Sequence, residues 1–373
     1  MKLLFVIGSL QGGGAEHVLT TVCNNLAERG HEVILLYDFR WKDYEVSQKV
    51  REIDTNTFEK DTSKGNIFKR YYNKAANRIR DLLYFKKLLK LEKPDAVTIF
   101  LENWSWQLTL LCKGRIPLVF SERNTFDYKY NSFNDWVNKH LFYRMGDMVT
   151  TMTYYDKAFL RNRYKRITVM HNPLSYTPLT VDEYKESFNA RKNILACGRL
   201  VPDKGFSDLI EAFSKIAHKY PEWNIDIAGR DMQNSNYSCI LKELVKEHNL
   251  EDRIQFIGFH HNMNEIMQKH SIFTLSSKRE GFPNVLSEAL SMGCACISYD
   301  IVTGPREIII DGLDGLIVEN RNIDALADGL EKLIKDENLR YNMGLKAIEN
   351  IKRFSPDQVI DRWEQMYKSI YGG

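Results

Sequence analysis

Along residues 1–172, short apolar runs alternate with stretches whose apolar positions recur at helical spacing. The runs are KLLFVIGS, HEVILLYDF, DAVTIFL, IPLVFSE, DMVTTM and RITVMHN, with helices expected over 15–29 and around 103–113 and 133–145. Runs this short, apolar at both odd and even positions, read as strands buried on both faces. A parallel sheet covered by helices has that property. The pattern restarts at NILACG (193–198) and continues through WNIDIAG, RIQFIGF, SIFTLSS, CACISYD and GLIVE.

The fold class expected is therefore α/β, with two Rossmann-like doubly wound domains facing a cleft. They are placed at 1–172 and 191–354, joined by a linker at 173–190, PLSYTPLTVDEYKESFNA, which has little apolar periodicity and two prolines. The stretch 355–373 opens with Ser-Pro, a helix start, and carries Val359, Trp363 and Tyr367 one turn apart. It is expected to cross back and pack on the N-terminal domain.

Composition changes little. The 373 residues are 43% hydrophobic and 27% charged, ordinary for a globular chain of two domains. The six cysteines have no zinc-ligand spacing, and core packing in a reducing cytosol is the better reading over a metal or a disulfide. The first apolar run ends at a glycine triplet, so it reads as a strand and not a signal peptide. No run approaches the ~18–20 residues that span a bilayer, and the expected location is cytoplasmic.

Charge changes more. Residues 1–175 hold 28 Lys/Arg against 19 Asp/Glu, leaving 24 against 30 for the rest. The N-terminal half is expected to face something anionic, a membrane surface or nucleic acid. Residues 64–93 concentrate ten basic residues against Asp81 and Glu92, interleaved with Ile, Tyr, Phe and Leu. That pattern fits a basic amphipathic helix on an anionic membrane surface; it fits equally an apolar stripe on the sheet with solvated lysines. No nucleic-acid-binding module accompanies it, so no nucleic acid is expected.

Ligands of doubly wound sheets bind at the carboxyl ends of strands, and four turns there carry candidate chemistry. SLQGGGAEHV (9–18) sets glycines before a helix, an anion site or simply a tight turn. It is not GxGxxG, which argues against a dinucleotide-dependent dehydrogenase; Asp38 is the nearest acid for a ribose. CGRLVPDKGF (197–206) places Arg199 and Lys204 on one loop, a pair suited to a diphosphate or to solvent. In SSKREGFPNVLSEALSMG (276–293), Glu280 lies in a loop and Glu288 one turn into a helix starting near Asn284. The free N–H groups of that helix carry roughly +0.5 charge toward an anion, with Glu288 beside it to accept from ribose hydroxyls. A solvated helix residue and a capped loop are the plainer reading. TGPREIIIDGLDGLIVE (303–319) reads as support for that site.

These residues resemble family-4 glycosyltransferases of the GT-B fold, the group that includes bacterial enzymes building lipid-linked oligosaccharides, capsules and O-antigens. The carriers are QGGGAE, SERN (121–124), HNP (171–173), GRLVPDKG and above all EGFPNVLSE (280–288), which matches the family's E-x7-E motif. The resemblance implies a retaining, metal-independent transfer from a nucleotide-diphosphate sugar, with UDP and an N-acetylhexosamine as the best guesses. It implies no cofactor; the sequence has no Asp-x-Asp metal motif. Arg199 and Lys204 would hold the departing diphosphate, Glu280 the sugar and Glu288 the ribose. Gly198, Gly281, Phe282, Pro283, Asn284 and Val285 would line the donor, with Gly13 and Gly14 approaching from the N-terminal domain and Gly258 and Phe259 near the base. Many members carry a histidine where this chain has Arg123, so no catalytic histidine is transferred; Glu122 and Arg123 are candidate donor or acceptor contacts, and His171 a junction residue. The partners implied are the nucleotide sugar and a polyprenyl-diphosphate-linked saccharide, with residues 64–93 on the inner membrane face.

Overall fold

The protein is described by a computed structural model over residues 1–55, 67–101, 104–125, 136–232 and 235–371, with backbone alone over 67–75. It divides into two compact units, Met1–Pro173 with Pro356–Gly373, and Leu174–Ser355.

Unit 1 is built from β1 (Lys2–Leu10), α1 (Gly14–Glu28), β2 (Glu32–Lys42), β3 (Val50–Asp54), α2 (Ile67–Glu92), β4 (Ala96–Phe100), α3 (Ser105–Cys112), β5 (Leu118–Ser121), β6 (Met148–Thr151), α4 (Tyr154–Leu160) and β7 (Ile167–Val169). Its strands form one parallel sheet, ordered β3-β2-β1-β4-β5-β6-β7. The continuous apolar runs have the cause inferred from the sequence. Leu3, Phe5 and Ile7 of β1 enter one core with α1, while Leu4 and Val6 enter another with Phe85, Leu88 and Leu89 of α2. Within the segment read as a helix around 133–145, the described part is α-helical at 136–137 and continues as a π-turn at Asn138–Phe142 and a 3-10 turn at Tyr143–Met145.

Unit 2 comprises α5 (Val181–Phe188), β8 (Lys192–Cys197), α6 (Phe206–Ile216), β9 (Ile225–Ala228), α7 (Tyr237–Glu247), β10 (Ile254–Gly258), α8 (Met263–Met267), β11 (His270–Leu275), α9 (Asn284–Ser291), β12 (Ala295–Asp300), α10 (Pro305–Ile308), β13 (Gly315–Glu319), α11 (Ile323–Lys335) and α12 (Glu337–Asn350). Its parallel sheet runs β10-β9-β8-β11-β12-β13. Strand order reverses between β8 and β11, so the loops leaving these neighbours start side by side. Ligands of such sheets bind at that point.

The chain returns to unit 1 as α13 (Pro356–Tyr371). Val359, Trp363 and Tyr367 are fully buried in the β1 core, as their spacing predicts. The Trp363 ring stacks on Phe100 at 6.0 Å, and Tyr367 Oη meets Thr98 Oγ1 at 2.6 Å.

The expected linker differs. Residues 174–190 belong to unit 2, and the chain changes units at Pro173/Leu174 and again at Ser355/Pro356. The stretch contains α5, whose first turn is closed by a capping box between Thr180 and Glu183. Tyr184 is the single buried residue of α5, its hydroxyl donating to the Tyr341 carbonyl at 3.2 Å. One anchoring residue on a short helix leaves little apolar period to read.

Candidate active site

The β8 and β11 loops are stitched together. Gly205 has φ +64°, and a Cβ there would stand 2.0 Å from the Ser276 carbonyl oxygen, so only glycine admits this approach. Ser276 Oγ donates to the Lys204 carbonyl at 3.1 Å, and the Lys278 amide to the Asp203 carbonyl at 2.8 Å. Arg279 pairs with Asp203 at 2.8 Å and Lys278 with Asp208 at 2.9 Å. These bonds bring Lys204 and Glu280 into a direct ion pair, both largely shielded from solvent.

Behind the pair, α9 starts at Asn284, as expected, with Pro283 before it and no side-chain cap on its first turn. The Leu286 amide turns back to the Pro283 carbonyl at 3.1 Å, and no side chain caps the first turn, the arrangement in which a helix end favours an anion. The 303–304 turn buttresses this loop. Thr303 Oγ1 donates to the Glu280 carbonyl, and a Cβ on Gly304 (φ +92°) would lie 2.8 Å from the Gly281 carbonyl oxygen. Phe282 is buried edge-on against Phe354, which fixes the segment Gly281–Phe282–Pro283 from below.

Glu288 lies one turn into α9, recessed but not sealed. Burial raises its pKa, and a hydrogen bond from Ser175 opposes the rise. Ser175 Oγ donates to Glu288 Oε1 at 2.7 Å. Tyr176 follows, its hydroxyl pushed up to about 12, first by burial and then by Glu288. Sequence reasoning missed both, because they fall in the stretch read as linker; the HNP motif just before them was the one signal.

The remaining donor-side residues are more dispersed. Arg199 is exposed, and its guanidinium contacts Met232 Sδ at 4.0 Å rather than the Lys204–Glu280 pair. Gly198 follows β8, its amide donating to the Ala228 carbonyl, and Gly229 comes so close that a Cβ there would sit 1.9 Å from the Gly198 oxygen. Gly258 ends β10 with φ +78°, and Phe259 beyond it is half exposed, with the Arg230 guanidinium over its ring at 4.8 Å. Val285 is part-buried on the first turn of α9.

In unit 1 the glycine turn differs from a vacant anion site. A Cβ on Gly13 would stand 1.9 Å from Glu16 Oε2, so this carboxylate already lies over the amino end of α1, where it also bonds its own amide. Burial raises the Glu16 pKa. Gly14 is the first residue of α1, and Tyr44 Oη donates to the Gly13 carbonyl at 3.0 Å.

The SERN segment also departs from expectation. Arg123 is enclosed within unit 1 and offers no exposed donor edge: it donates to Ser121 Oγ at 2.9 Å, the Met170 carbonyl at 2.9 Å and Asn172 Oδ1 at 3.1 Å, and lies over the Phe100 ring at 4.8 Å. Burial pulls the guanidinium down to about 9 while Glu122 pushes it back up, so it stays cationic at neutral pH. Glu122 is buried too, accepting from the amides of Arg123 and Asn124. The candidate contacts Glu122 and Arg123 are therefore framework groups of unit 1. A cation that packs between aromatic rings needs no ligand to hold it there. His171 accepts at Nδ1 from Arg362 at 2.9 Å, a contact within unit 1.

Residues 12–176 match the family described as Glycosyltransferase Family 4, and residues 181–350 match Glycosyl transferases group 1. The chain is 25% identical over 364 residues to an uncharacterized glycosyltransferase of Haemophilus influenzae, covering 96% of this chain and 98% of the relative. It is also 25% identical over 374 residues to the Campylobacter jejuni GalNAc-alpha-(1->4)-GalNAc-alpha-(1->3)-diNAcBac-PP-undecaprenol alpha-1,4-N-acetyl-D-galactosaminyltransferase, covering 99% of each. Among solved structures, Anabaena HepE in complex with UDP superposes with a TM-score of 0.76 at 16% identity, over 99% of this chain and 100% of that one. The two matched families follow one another along the chain, one on each unit, and the chain belongs to the family-4-like glycosyltransferases of the GT-B fold.

Proposed function

We propose that the protein moves a sugar, with retention and without a metal ion, from a nucleotide-diphosphate donor to a lipid-linked saccharide during bacterial glycan assembly. UDP is the nucleotide favoured, and an N-acetylhexosamine the sugar. The observation that carries this reading is the ion pair of Lys204 and Glu280 on the loop that leads into α9, the helix that carries Glu288 one turn in. A diphosphate on that helix end has uncapped amides, a lysine and Arg199 as counter-charges, with a carboxylate placed to accept from a ribose. The UDP held by the Anabaena relative and the undecaprenol diphosphate in the Campylobacter relative's name support donor and acceptor class.

In the reaction proposed, an acceptor hydroxyl attacks the anomeric carbon on the face the diphosphate leaves. The bond between that carbon and the diphosphate oxygen breaks, the departing oxygen takes the acceptor proton, and the nucleoside diphosphate is released. No protein nucleophile is needed. Lys204 and Arg199 act where charge grows on the leaving oxygen, the place where fixed cations lower a barrier most. Donor entry must part Lys204 from Glu280, which frees the carboxylate for the sugar hydroxyls. In unit 1, exposed Ile79 and Leu83 share α2 with Lys86, Lys87 and Lys90, and this face is proposed to rest on an anionic leaflet. Residues 64–66 and the side chains of 67–75 lie outside the described residues.

The deciding experiment is turnover of a panel of UDP-, GDP- and ADP-sugars in the presence of EDTA, with anomeric configuration read by proton NMR. Transfer with an α-linked product from an α-donor is expected. An inverted product, or activity abolished by EDTA, overturns the mechanism.

A further inference from the structure

One exposed aromatic surface of unit 1 lies outside the donor chemistry. β2 runs past the end of its buried stretch, and its last residues alternate Phe39, Trp41 on one side with Asp38, Arg40 on the other. Phe39 and Trp41 are 40% and 49% exposed, large apolar rings left open at the carboxyl end of the sheet. Ligands of doubly wound sheets bind at that end. The Phe39 ring is not loose: it rests on buried Tyr37 with centroids 4.7 Å apart, and its amide donates to Asp54 Oδ1 at 3.1 Å. The strand end adjoins the glycine turn directly. The Asp43 amide donates to the Leu10 carbonyl at 3.0 Å, and Tyr44 reaches the Gly13 carbonyl.

The charges around the rings narrow the occupant. Every cation on residues 38–54 is already ion-paired inside the unit: Arg40 with Asp38 at 2.6 Å, Lys42 with Glu52 at 2.8 Å, Arg51 with Glu92 at 2.8 Å, and Lys49 with Glu28. A phosphate or an anionic leaflet finds no spare positive charge here, in contrast to the basic face of α2. Aromatic faces beside carboxylates that are held in place suit a neutral, polyhydroxylated ring instead. Its C–H face lies on the π-surface while its hydroxyls donate to carboxylate oxygens.

We infer that Phe39 and Trp41 form a stacking platform for a pyranose ring of the acceptor saccharide, with Asp54, which holds the Phe39 amide, receiving its hydroxyls. This rests on the acceptor being a saccharide, as proposed above, and deepens it to a named subsite.

The test is saturation-transfer NMR on the full chain with N,N′,N″-triacetylchitotriose and maltotriose, comparing wild type with Phe39→Ala, Trp41→Ala and Trp41→Phe. Circular-dichroism melting confirms that each variant is folded. At least one trisaccharide is expected to receive saturation at its ring protons, with apparent Kd about tenfold weaker in Trp41→Ala and largely restored in Trp41→Phe. Absence of transfer from both sugars, or equal binding by the alanine variants, overturns the platform. So does quenching of Trp41 emission by brominated phosphatidylglycerol vesicles, which would make the surface a lipid contact. Trisaccharide binding at Trp41 in a protein that turns over no nucleotide sugar would instead refute the proposed reaction and leave the platform standing.

Discussion

Ser175 Oγ donates to Glu288 Oε1 across 2.7 Å, so the carboxylate proposed to hold the donor ribose is oriented by the second residue of unit 2. The bond ties the point where the chain enters this unit to the helix that carries the site, and it opposes the burial that raises the Glu288 pKa.

A pH dependence follows from that opposition. In the proposed role the ribose hydroxyls donate to the ionised carboxylate, so protonating Glu288 should weaken the donor. Because its pKa is raised, donor KM should climb on acidification while an ordinary glutamate would still be ionised. Ser175→Ala removes the opposing bond and should move that climb to higher pH. Glu288→Gln should abolish it and weaken the donor by about 1.5–3 kcal/mol, the cost of lost charged hydrogen bonds. KM–pH profiles of the three proteins check this; a pH-independent wild type refutes the ribose role.

The Lys204–Glu280 pair predicts a split between kinetic constants. Lys204→Ala should lower kcat more than it raises donor KM if, as proposed, the lysine acts mainly on the leaving diphosphate. It also strands Glu280, and the melting temperature should fall by the equivalent of about 1–3 kcal/mol. Lys204→Met with Glu280→Gln should recover stability without recovering kcat. Rapid kinetics and thermal unfolding of the single and double variants separate the two effects.

Gly205→Ala should be costly out of proportion to its size. The substitution meets both a left-handed backbone and the Ser276 carbonyl, so the two signature loops must part. A loss of roughly 2 kcal/mol or more is expected, from strain and lost contact together. Calorimetry should show it, along with a fall in kcat as Lys204 and Glu280 separate.

Arg123→Met should destabilise unit 1 by about 1–3 kcal/mol per stranded acceptor. Ser121, Met170 and Asn172 all lose their donor. Donor KM should be unchanged, since the guanidinium is enclosed in the framework. A large KM change with intact stability would restore Arg123 as a ligand contact.

Reversing charge on α2 tests the membrane proposal. Lys86→Glu with Lys90→Glu should abolish flotation with anionic liposomes while turnover of a soluble acceptor persists. Flotation indifferent to lipid charge and to salt would sink it.

Much of this is legible in the sequence alone, for a physical reason. Strands covered on both faces are near-continuously apolar, so β1, β4, β8 and β11 stand out in the sequence, and Val359, Trp363 and Tyr367 mark the buried stripe of α13. The E-x7-E spacing likewise placed Glu280 in a loop and Glu288 one turn into a helix, because loop and helix geometry are local. What lay beyond the sequence were contacts between residues far apart in the chain. Lys204 and Glu280 pair across 76 positions, and Ser175 and Glu288 across 113. Arg123 looked like a site residue until its donors were counted against Ser121, Met170 and Asn172. Periodicity and motif spacing report which residues share a strand, helix face or loop. Which side chains meet across the sheet's switch point is set by strand order and loop packing, and only the folded chain decides those.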